Sequence, residues 1–104
     1  MDTNDYLFKD VAVSKTHNIN GFVTHVGYIN LFPFMMGMVN SKSPAFAKIL
    51  EILQDPKLLW SDSGIRSLSL SDPLYGTGDN YWRGAVWMPI NYMVLRACTL
   101  YYPQ

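Results

Sequence analysis

The chain has 104 residues and a net charge of zero, with 15% charged and 49% hydrophobic residues. An average soluble domain has about 25% charged residues, so this chain has few with which to form a polar exterior. Much of its surface is therefore expected to face other protein. The scattered charges exclude the basic stripe of a nucleic-acid-binding protein, and no apolar run reaches the roughly 18 residues of a membrane span. We therefore expect no nucleic-acid partner and no membrane contact from this segment, and its polar, acidic start contains no targeting signal.

The first part of the chain is expected to be a weakly structured lead-in over residues 1–20, because it shows no clear hydrophobic period. The alternation of Val11 and Val13 with small or polar residues is compatible with a short strand. Asn and Gly residues between positions 18 and 21 predict a turn.

Two helices are predicted in the middle of the chain. Residues 26–39 are almost wholly apolar, which is typical of a buried helix, and Pro33 must begin or kink it. Ser43 followed by Pro44 predicts the start of a second, amphipathic helix. That helix is expected to end at Asp55, since the residue before a proline avoids the helical region.

A long loop precedes a third predicted helix. Residues 60–84 hold four of the seven glycines and five of the eight serines, and a loop of this length is uncommon unless it is functional. The third helix is expected to begin near Pro89 and to carry Cys98, the one cysteine, as a small buried hydrophobe. Three helices without a confident strand predict an all-α fold.

The long loop and the residues that follow it also suggest a sugar-binding site. Aromatic faces pack on the C–H face of a pyranose, while charged and amide side chains bond its hydroxyl groups. The candidate substrate-binding residues are Tyr81, Trp82, Arg83, Trp87 and Asp79. The alternative is that the rings anchor the loop to a core and that Arg83 satisfies buried carbonyls.

A metal or cofactor site is not expected. His17 and His25 lie eight residues apart without a grouping of carboxylates or cysteines nearby. Neither histidine is near a serine or cysteine nucleophile pattern.

Four strings resemble elements of glycoside hydrolase family 63, and they occur in that family's order. They are HVGYINLFP (25–33), ILQDPKLLW (52–60), GIRSL (64–68), and YWRGAVW (81–87) with NY (91–92). The resemblance extends over roughly residues 22–102. One position departs from it: eukaryotic members have Asn where this chain has Pro89, which removes a side-chain hydrogen bond and leaves the fine specificity and the organism group open.

The resemblance implies that residues 1–104 are an internal fragment of a single glycosidase catalytic domain with a partial (α/α)6 barrel, part of a six-hairpin helical toroid. Members of this kind are inverting α-glucosidases of the endoplasmic reticulum lumen, and they trim terminal α-1,2-linked glucose from the N-glycan precursor oligosaccharide. The implied partners are that oligosaccharide and the remainder of the catalytic domain. Arg83 is then expected to orient a catalytic carboxylate or to bond the glucose hydroxyls.

No catalytic residue is expected within this chain. Inverting hydrolysis uses one carboxylic acid and one carboxylate. The resemblance implies that the acid lies in a DDYPR-like motif upstream and the base in a WEQY-like motif downstream, and neither string is present. Glu51, the one glutamate, falls on the polar side of the second helix. The isolated chain is therefore expected to be inactive.

Two other functions stay open. The chain could be a non-catalytic carbohydrate-binding or structural remnant of such a domain. It could also be an interaction protein whose aromatic loop is coincidental. A longer transcript with both flanking motifs would favour the enzyme.

Overall fold

A computed structural model describes residues 1–13 and 20–102, which form three α-helices, one 3₁₀ turn and two small antiparallel sheets. In chain order the elements are β1 (Val11–Val13), β2 (Asn20–Phe22), the 3₁₀ turn (Tyr28–Leu31), α1 (Phe32–Met35), α2 (Pro44–Gln54), β3 (Trp60–Ser61), β4 (Gly64–Ile65) and α3 (Met88–Tyr101). β1 pairs with β2 and β3 pairs with β4. None of the helices in the described ranges is long and apolar enough to span a bilayer.

The prediction of an all-α fold, as a partial (α/α)6 barrel, is wrong, because the described residues combine helices with two sheets. Each strand is only two or three residues long, so none of them produces a readable alternation of polar and apolar residues. The short strand at Val11 and Val13 is confirmed as β1. Asn20 and Gly21, which were expected in a turn with Asn18, belong to β2, and Asn18 lies outside the described residues.

The helix that most closely follows its sequence signals is α2. The Ser43 hydroxyl accepts a hydrogen bond from the Ala45 N–H at 3.2 Å, which satisfies one of the free donors at the helix start. Pro44 occupies the first helical position, and Asp55 is the extended residue that ends the helix. The side chains buried along its inner face include Phe46, Ile49 and Leu53, as the sequence spacing predicts.

The predicted helix over residues 26–39 is much shorter than expected. A 3₁₀ turn runs directly into α1, and Pro33 lies in the first turn of α1, so it begins the helix rather than kinking it. The helix cannot extend towards Val26, because the backbone of Gly27 pairs with that of Leu68. Several apolar side chains of this segment are exposed: Ile29, Phe32, Met36 and Met38.

The core lies between α1, α2 and α3, and three aromatic rings hold these helices together. Phe34 stacks on Tyr101 with ring centroids 5.2 Å apart, and Phe46 packs against Tyr101 at 4.9 Å. The Tyr101 hydroxyl accepts from the Val39 N–H and donates to the Val39 carbonyl, at 2.9 and 2.7 Å. The last turn of α3 is therefore fixed to the segment that follows α1. The start of α3 at Met88 agrees with the predicted start near Pro89.

A buried side-chain amide of the 3₁₀ turn connects this turn to the start of the chain. Asn30 is fully buried, and its side chain donates to the Phe8 carbonyl at 2.6 Å while accepting from the Gly27 N–H at 2.7 Å. Leu7 is buried beside it in the core. The division of the chain into a lead-in over residues 1–20 and a single domain stays a prediction.

Candidate functional site

Three of the predicted sugar-binding residues form an aromatic cluster at the end of the long loop and just after it: Tyr81, Trp82 and Trp87. Trp82 and Trp87 stack with ring centroids 4.5 Å apart and planes 24° from parallel. Tyr81 meets both rings edge-on, at 5.4 Å from Trp82 and 4.5 Å from Trp87. Tyr81 and Trp82 remain 55% and 54% exposed, so the cluster presents ring surface rather than burying it.

Trp87 is the fixed member of this cluster. Its indole Nε1 donates to the Tyr81 carbonyl at 2.9 Å, which closes residues 81–87 into a compact turn. Its backbone N–H donates to the Tyr28 hydroxyl at 3.0 Å. Because Trp87 also immediately precedes α3, the cluster is attached to a rigid element.

The Tyr28 hydroxyl is the centre of a buried hydrogen-bond network under the cluster. It donates to the Ile65 carbonyl at 2.6 Å and accepts from the Trp87 N–H. The Asn91 side chain accepts from the Ile65 N–H at 2.7 Å and donates to the Trp87 carbonyl at 2.8 Å. Burial raises the pKa of Tyr28, and the hydrogen bonds from Trp87 and Asn91 only partly offset this. The phenol therefore stays protonated and can donate.

Arg83 and Asp79 lie on the exposed side of the same loop. The Arg83 guanidinium donates to the Thr77 hydroxyl at 3.2 Å and approaches the Thr77 carbonyl at 3.5 Å. Within residues 1–13 and 20–102 these are its side-chain hydrogen bonds, so most of its donors are free. One oxygen of Asp79 accepts from the Tyr81 N–H at 3.3 Å and shapes the turn.

Gly84 lets the loop fold back closely over a tyrosine ring. A Cβ at Gly84 would lie 2.6 Å from Cε2 of Tyr75, and its φ of +131° is one that other residues rarely adopt. The Gly76 N–H donates to the Arg83 carbonyl at 2.6 Å across the same fold. The loop is thus held by its backbone, while the side chains of residues 81–83 are presented outwards.

Two hollows adjoin the cluster and share Trp82 and Arg83. The first has a volume of about 480 Å³ and is bounded by Asp79, Tyr81, Trp82 and Arg83, which are four of the five predicted residues. The second, of about 520 Å³, extends towards the 3₁₀ turn. Its walls are mostly apolar, and they are formed by Asp10, Val23, His25, Gly27, Tyr28, Ile29, Phe32, Ser67, Leu68, Leu74, Trp82, Arg83 and Ile90. Both volumes are in the range of small-ligand sites.

Sequence reasoning missed Tyr28 and His25, which the second hollow brings to the cluster, and Asp72, which pairs with His25. His25 Nδ1 lies 2.5 Å from the Asp72 carboxylate, although the two residues are 47 positions apart. Burial acts to raise the pKa of Asp72, but hydrogen bonds from His25 and the Leu74 N–H outweigh it and lower that pKa. The one signal in the sequence was that Gly27 and Tyr28 belong to a string that resembles a family element, but no function had been assigned to either residue.

The remaining candidates do not join this site. In the part of the chain that the structure describes, no three metal-binding side chains come together, and His17 lies outside that part. Glu51 is exposed on α2 and pairs with Lys48. Cys98 is partly buried against the core, and burial raises the pKa of its thiol, so it behaves as a small apolar side chain.

Comparison with known proteins agrees with the four sequence strings. A model of the glycosyl hydrolase family 63 C-terminal domain matches residues 1–104. The mannosyl-oligosaccharide glucosidase of Saccharomyces cerevisiae is 38% identical over 102 residues, which are 97% of this chain and 12% of that protein. A probable mannosyl-oligosaccharide glucosidase of Schizosaccharomyces pombe is 45% identical over 73 residues, 70% of this chain and 9% of that protein. Alpha-glucosidase 2 of Arabidopsis thaliana is 38% identical over 78 residues, 70% of this chain and 10% of that protein.

The chain therefore spans about a tenth of the length of these relatives. The family model covers every residue, and the identity to the Saccharomyces cerevisiae protein extends over nearly the whole chain. This chain belongs to glycosyl hydrolase family 63.

Proposed function

We propose that this chain is one segment of an inverting α-glucosidase that removes terminal α-1,2-linked glucose from the N-glycan precursor oligosaccharide, in the lumen of the endoplasmic reticulum. The observation that carries the proposal is the half-exposed aromatic cluster of Tyr81, Trp82 and Trp87 beside Arg83. The printed names of the two yeast relatives support the substrate class.

The aromatic cluster has the chemistry of a sugar platform. A pyranose offers a face of C–H groups, which packs on aromatic rings, and a rim of hydroxyl groups, which needs donors and acceptors. Trp87 is held by Tyr81 and Tyr28, so the platform does not have to be ordered when the sugar arrives. Preorganisation of this kind lowers the entropic cost of binding.

Arg83 supplies the polar complement to the platform. Arg83 lines both hollows together with Trp82. A planar, permanently charged group with several fixed donors can bond two adjacent hydroxyls or hold a carboxylate in place. A site that hydrogen-bonds a hydroxyl discriminates strongly against sugars that lack it.

The two catalytic carboxyl groups are proposed to come from the rest of the protein. Inverting hydrolysis needs them roughly 6.5–9.5 Å apart across the sugar. Asp72, the better buried carboxylate near the site, already accepts from His25 and from the Leu74 N–H. Asp79 is exposed, and one of its oxygens shapes its own turn. The pKa of Asp72 is lowered, whereas a general acid needs a raised pKa.

The test uses the complete polypeptide that carries this segment, whose transcript is expected to contain DDYPR-like and WEQY-like motifs on either side. Incubation with an α-1,2-linked glucoside should release glucose, and proton NMR taken at once should show the β-anomer first. An initial α-anomer would rule out inversion. No release by a folded protein would exclude the glucosidase itself.

A non-catalytic carbohydrate-binding role is the second candidate, because the cluster can hold a sugar without a carboxyl pair. The same complete protein separates the two. Binding of an α-glucoside, seen as quenching of tryptophan fluorescence, together with no glucose release would favour the binding role. Absence of both would favour a structural role for the aromatic cluster.

A further inference from the structure

His25 lines the 520 Å³ hollow and pairs with Asp72, which is not one of the residues that bound the hollow. His25 precedes the 3₁₀ turn, and Asp72 opens the turn that leads to Tyr75. The side chain of Asp72 is 7% exposed, whereas that of His25 is 47% exposed. The partner that is nearly buried is therefore the carboxylate, and the imidazole is the partner that remains open.

Asp72 fixes which nitrogen of His25 carries a proton. One carboxylate oxygen accepts from the Leu74 N–H at 2.8 Å, and the other faces His25 Nδ1. Because the pKa of Asp72 is lowered, it is ionised at neutral pH and can only accept. His25 Nδ1 must then be the donor, and the Asp72 carboxylate covers that edge of the ring. The open edge is the one that carries Nε2.

The hollow is suited to a sugar rather than to an apolar molecule, because a hydrogen-bond donor and a hydrogen-bond acceptor stand among its apolar walls. Arg83 can only donate hydrogen bonds, whereas Nε2 of His25 accepts them when the ring is neutral and its proton is on Nδ1. A sugar hydroxyl does both. The apolar walls, which include Leu68 and Leu74, can pack on the C–H groups of the same ring.

We propose that His25 is a further substrate-contacting residue, which bonds a hydroxyl group of the oligosaccharide unit next to the one on the aromatic cluster, and that Asp72 positions its ring. The inference rests on the proposed function for the identity of the ligand. The two hollows share Trp82 and Arg83, so neighbouring sugar units can occupy them together.

The competing explanation is that the pair only ties the loop to the segment before the 3₁₀ turn. Two substitutions separate these roles. His25→Asn keeps a donor at the position of Nδ1, and so keeps the bond to Asp72, but it has no group at the position of Nε2. His25→Gln places its amide near the position of Nε2 and gives up the bond to Asp72. Glu51→Gln, which removes a carboxylate from an exposed pair on α2, is the control.

The measurements are KM, kcat and melting temperature of the complete enzyme with an α-1,2-linked glucose oligosaccharide. We expect His25→Asn to raise KM about three- to tenfold, as loss of one uncharged hydrogen bond does. Its kcat and melting temperature should stay close to those of the wild type. His25→Gln should raise KM less, and Glu51→Gln should change nothing.

A His25→Asn enzyme with wild-type KM would overturn the inference, whatever the effect of His25→Gln. A large fall in melting temperature of His25→Asn would also overturn it, because the residue would then be scaffold. If the wild-type protein binds the oligosaccharide without cleaving it, the proposed function fails, and the His25→Asn dissociation constant still decides the role of His25.

Discussion

The polar side chains of the four family strings are of two kinds. Some bond to the backbone and support the aromatic cluster, and others face outwards. Tyr28 and Asn91 direct their polar groups at backbone atoms of Ile65 and Trp87. Arg83, by contrast, contacts Thr77 and is otherwise open along the described residues. The strings therefore mark both the platform and the network that supports it.

Arg83→Lys in the complete enzyme should lower turnover about ten- to hundredfold, because a positioned hydrogen bond to a charged group contributes about 1.5–3 kcal/mol. Lysine keeps the charge but has no planar array of donors. The melting temperature should hardly change, since Arg83 is exposed. The measurements are kcat/KM and thermal unfolding of both proteins.

Arg66→Ala is the control with the opposite expectation. Its Nη1 donates to the carbonyls of Pro56, Leu58 and Trp60 at 2.9, 3.2 and 2.6 Å, so it stabilises the chain between α2 and β3. This substitution should lower the melting temperature more than it lowers turnover. If Arg83→Lys behaves in that way instead, Arg83 is scaffold and does not contact the substrate.

Asn91→Ala should destabilise the hydrogen-bond network that supports the aromatic cluster. It leaves the Ile65 N–H without its side-chain acceptor, whereas the Trp87 carbonyl keeps its bond from the Asn91 backbone N–H. An unsatisfied buried polar group costs about 1–3 kcal/mol. The expected result is a lower melting temperature of the complete protein. Glu51→Ala, at an exposed position of α2, is the control. Equal melting temperatures for the two variants would contradict the network.

At the scale of elements, backbone atoms of the 3₁₀ turn and of the long loop are in direct contact. The Tyr28 N–H donates to the Ser67 carbonyl at 3.1 Å, and the Ser69 N–H donates to the Val26 carbonyl at 2.8 Å. A Cβ on Gly27 would lie 2.3 Å from that Ser67 oxygen, so the two backbones could not stay together. The loop is therefore fixed to the 3₁₀ turn by main-chain atoms.

Gly27→Ala should separate these two segments and cost about 1–3 kcal/mol, the usual range for overpacking, or more because backbone must move. Gly21→Ala is the control, since a Cβ there meets no atom within 4 Å. Thermal unfolding and glucose release should both fall in the Gly27 variant only. An unchanged Gly27→Ala protein would show that the loop has room to shift.

Local signals were enough to predict α2 and the start of α3, because a cap or a proline acts within its own turn. Ser43 and Pro44 specify the start of α2 without help from distant residues. The segment around Tyr28 was overestimated as a helix, because Gly27 pairs with Leu68, which lies 41 residues further along the chain. Contacts at that separation leave no periodic mark in a single sequence.

The candidate site was also predicted only in part: its aromatic residues were found from the sequence, and the pair of His25 and Asp72 was not. The rings of residues 81–87 are contiguous in sequence, so their composition and their resemblance to a family string pointed to them. His25 in the wall of the second hollow pairs with Asp72, and only folding brings these two residues together. Composition cannot distinguish such a pair from two unrelated polar residues.

At the scale of the whole molecule, the described chain is thin and leaves much apolar surface uncovered. Its principal dimensions are 51 × 31 × 21 Å, and the shortest of these is about two helix diameters. One side of α3 exposes Met88, Tyr92 and Leu95, on the face away from the buried Val94 and Ala97. Since the relatives are many times longer, we propose that other parts of the catalytic domain cover this surface.

The 104-residue chain expressed alone should therefore be poorly soluble or loosely packed. Exposed apolar patches of this kind cause self-association, and a charged fraction of 15% offers little to oppose it. We expect concentration-dependent oligomers in light scattering, binding of a hydrophobic dye and poorly dispersed amide signals. Replacing Met88, Tyr92 and Leu95 by polar residues should reduce the association of the isolated chain, while the same changes should destabilise the complete enzyme, in which this face is packed. A sharp two-state melt of the unmodified chain as a monomer would show that it is an independent domain, and the proposed packing surface on α3 would then be wrong.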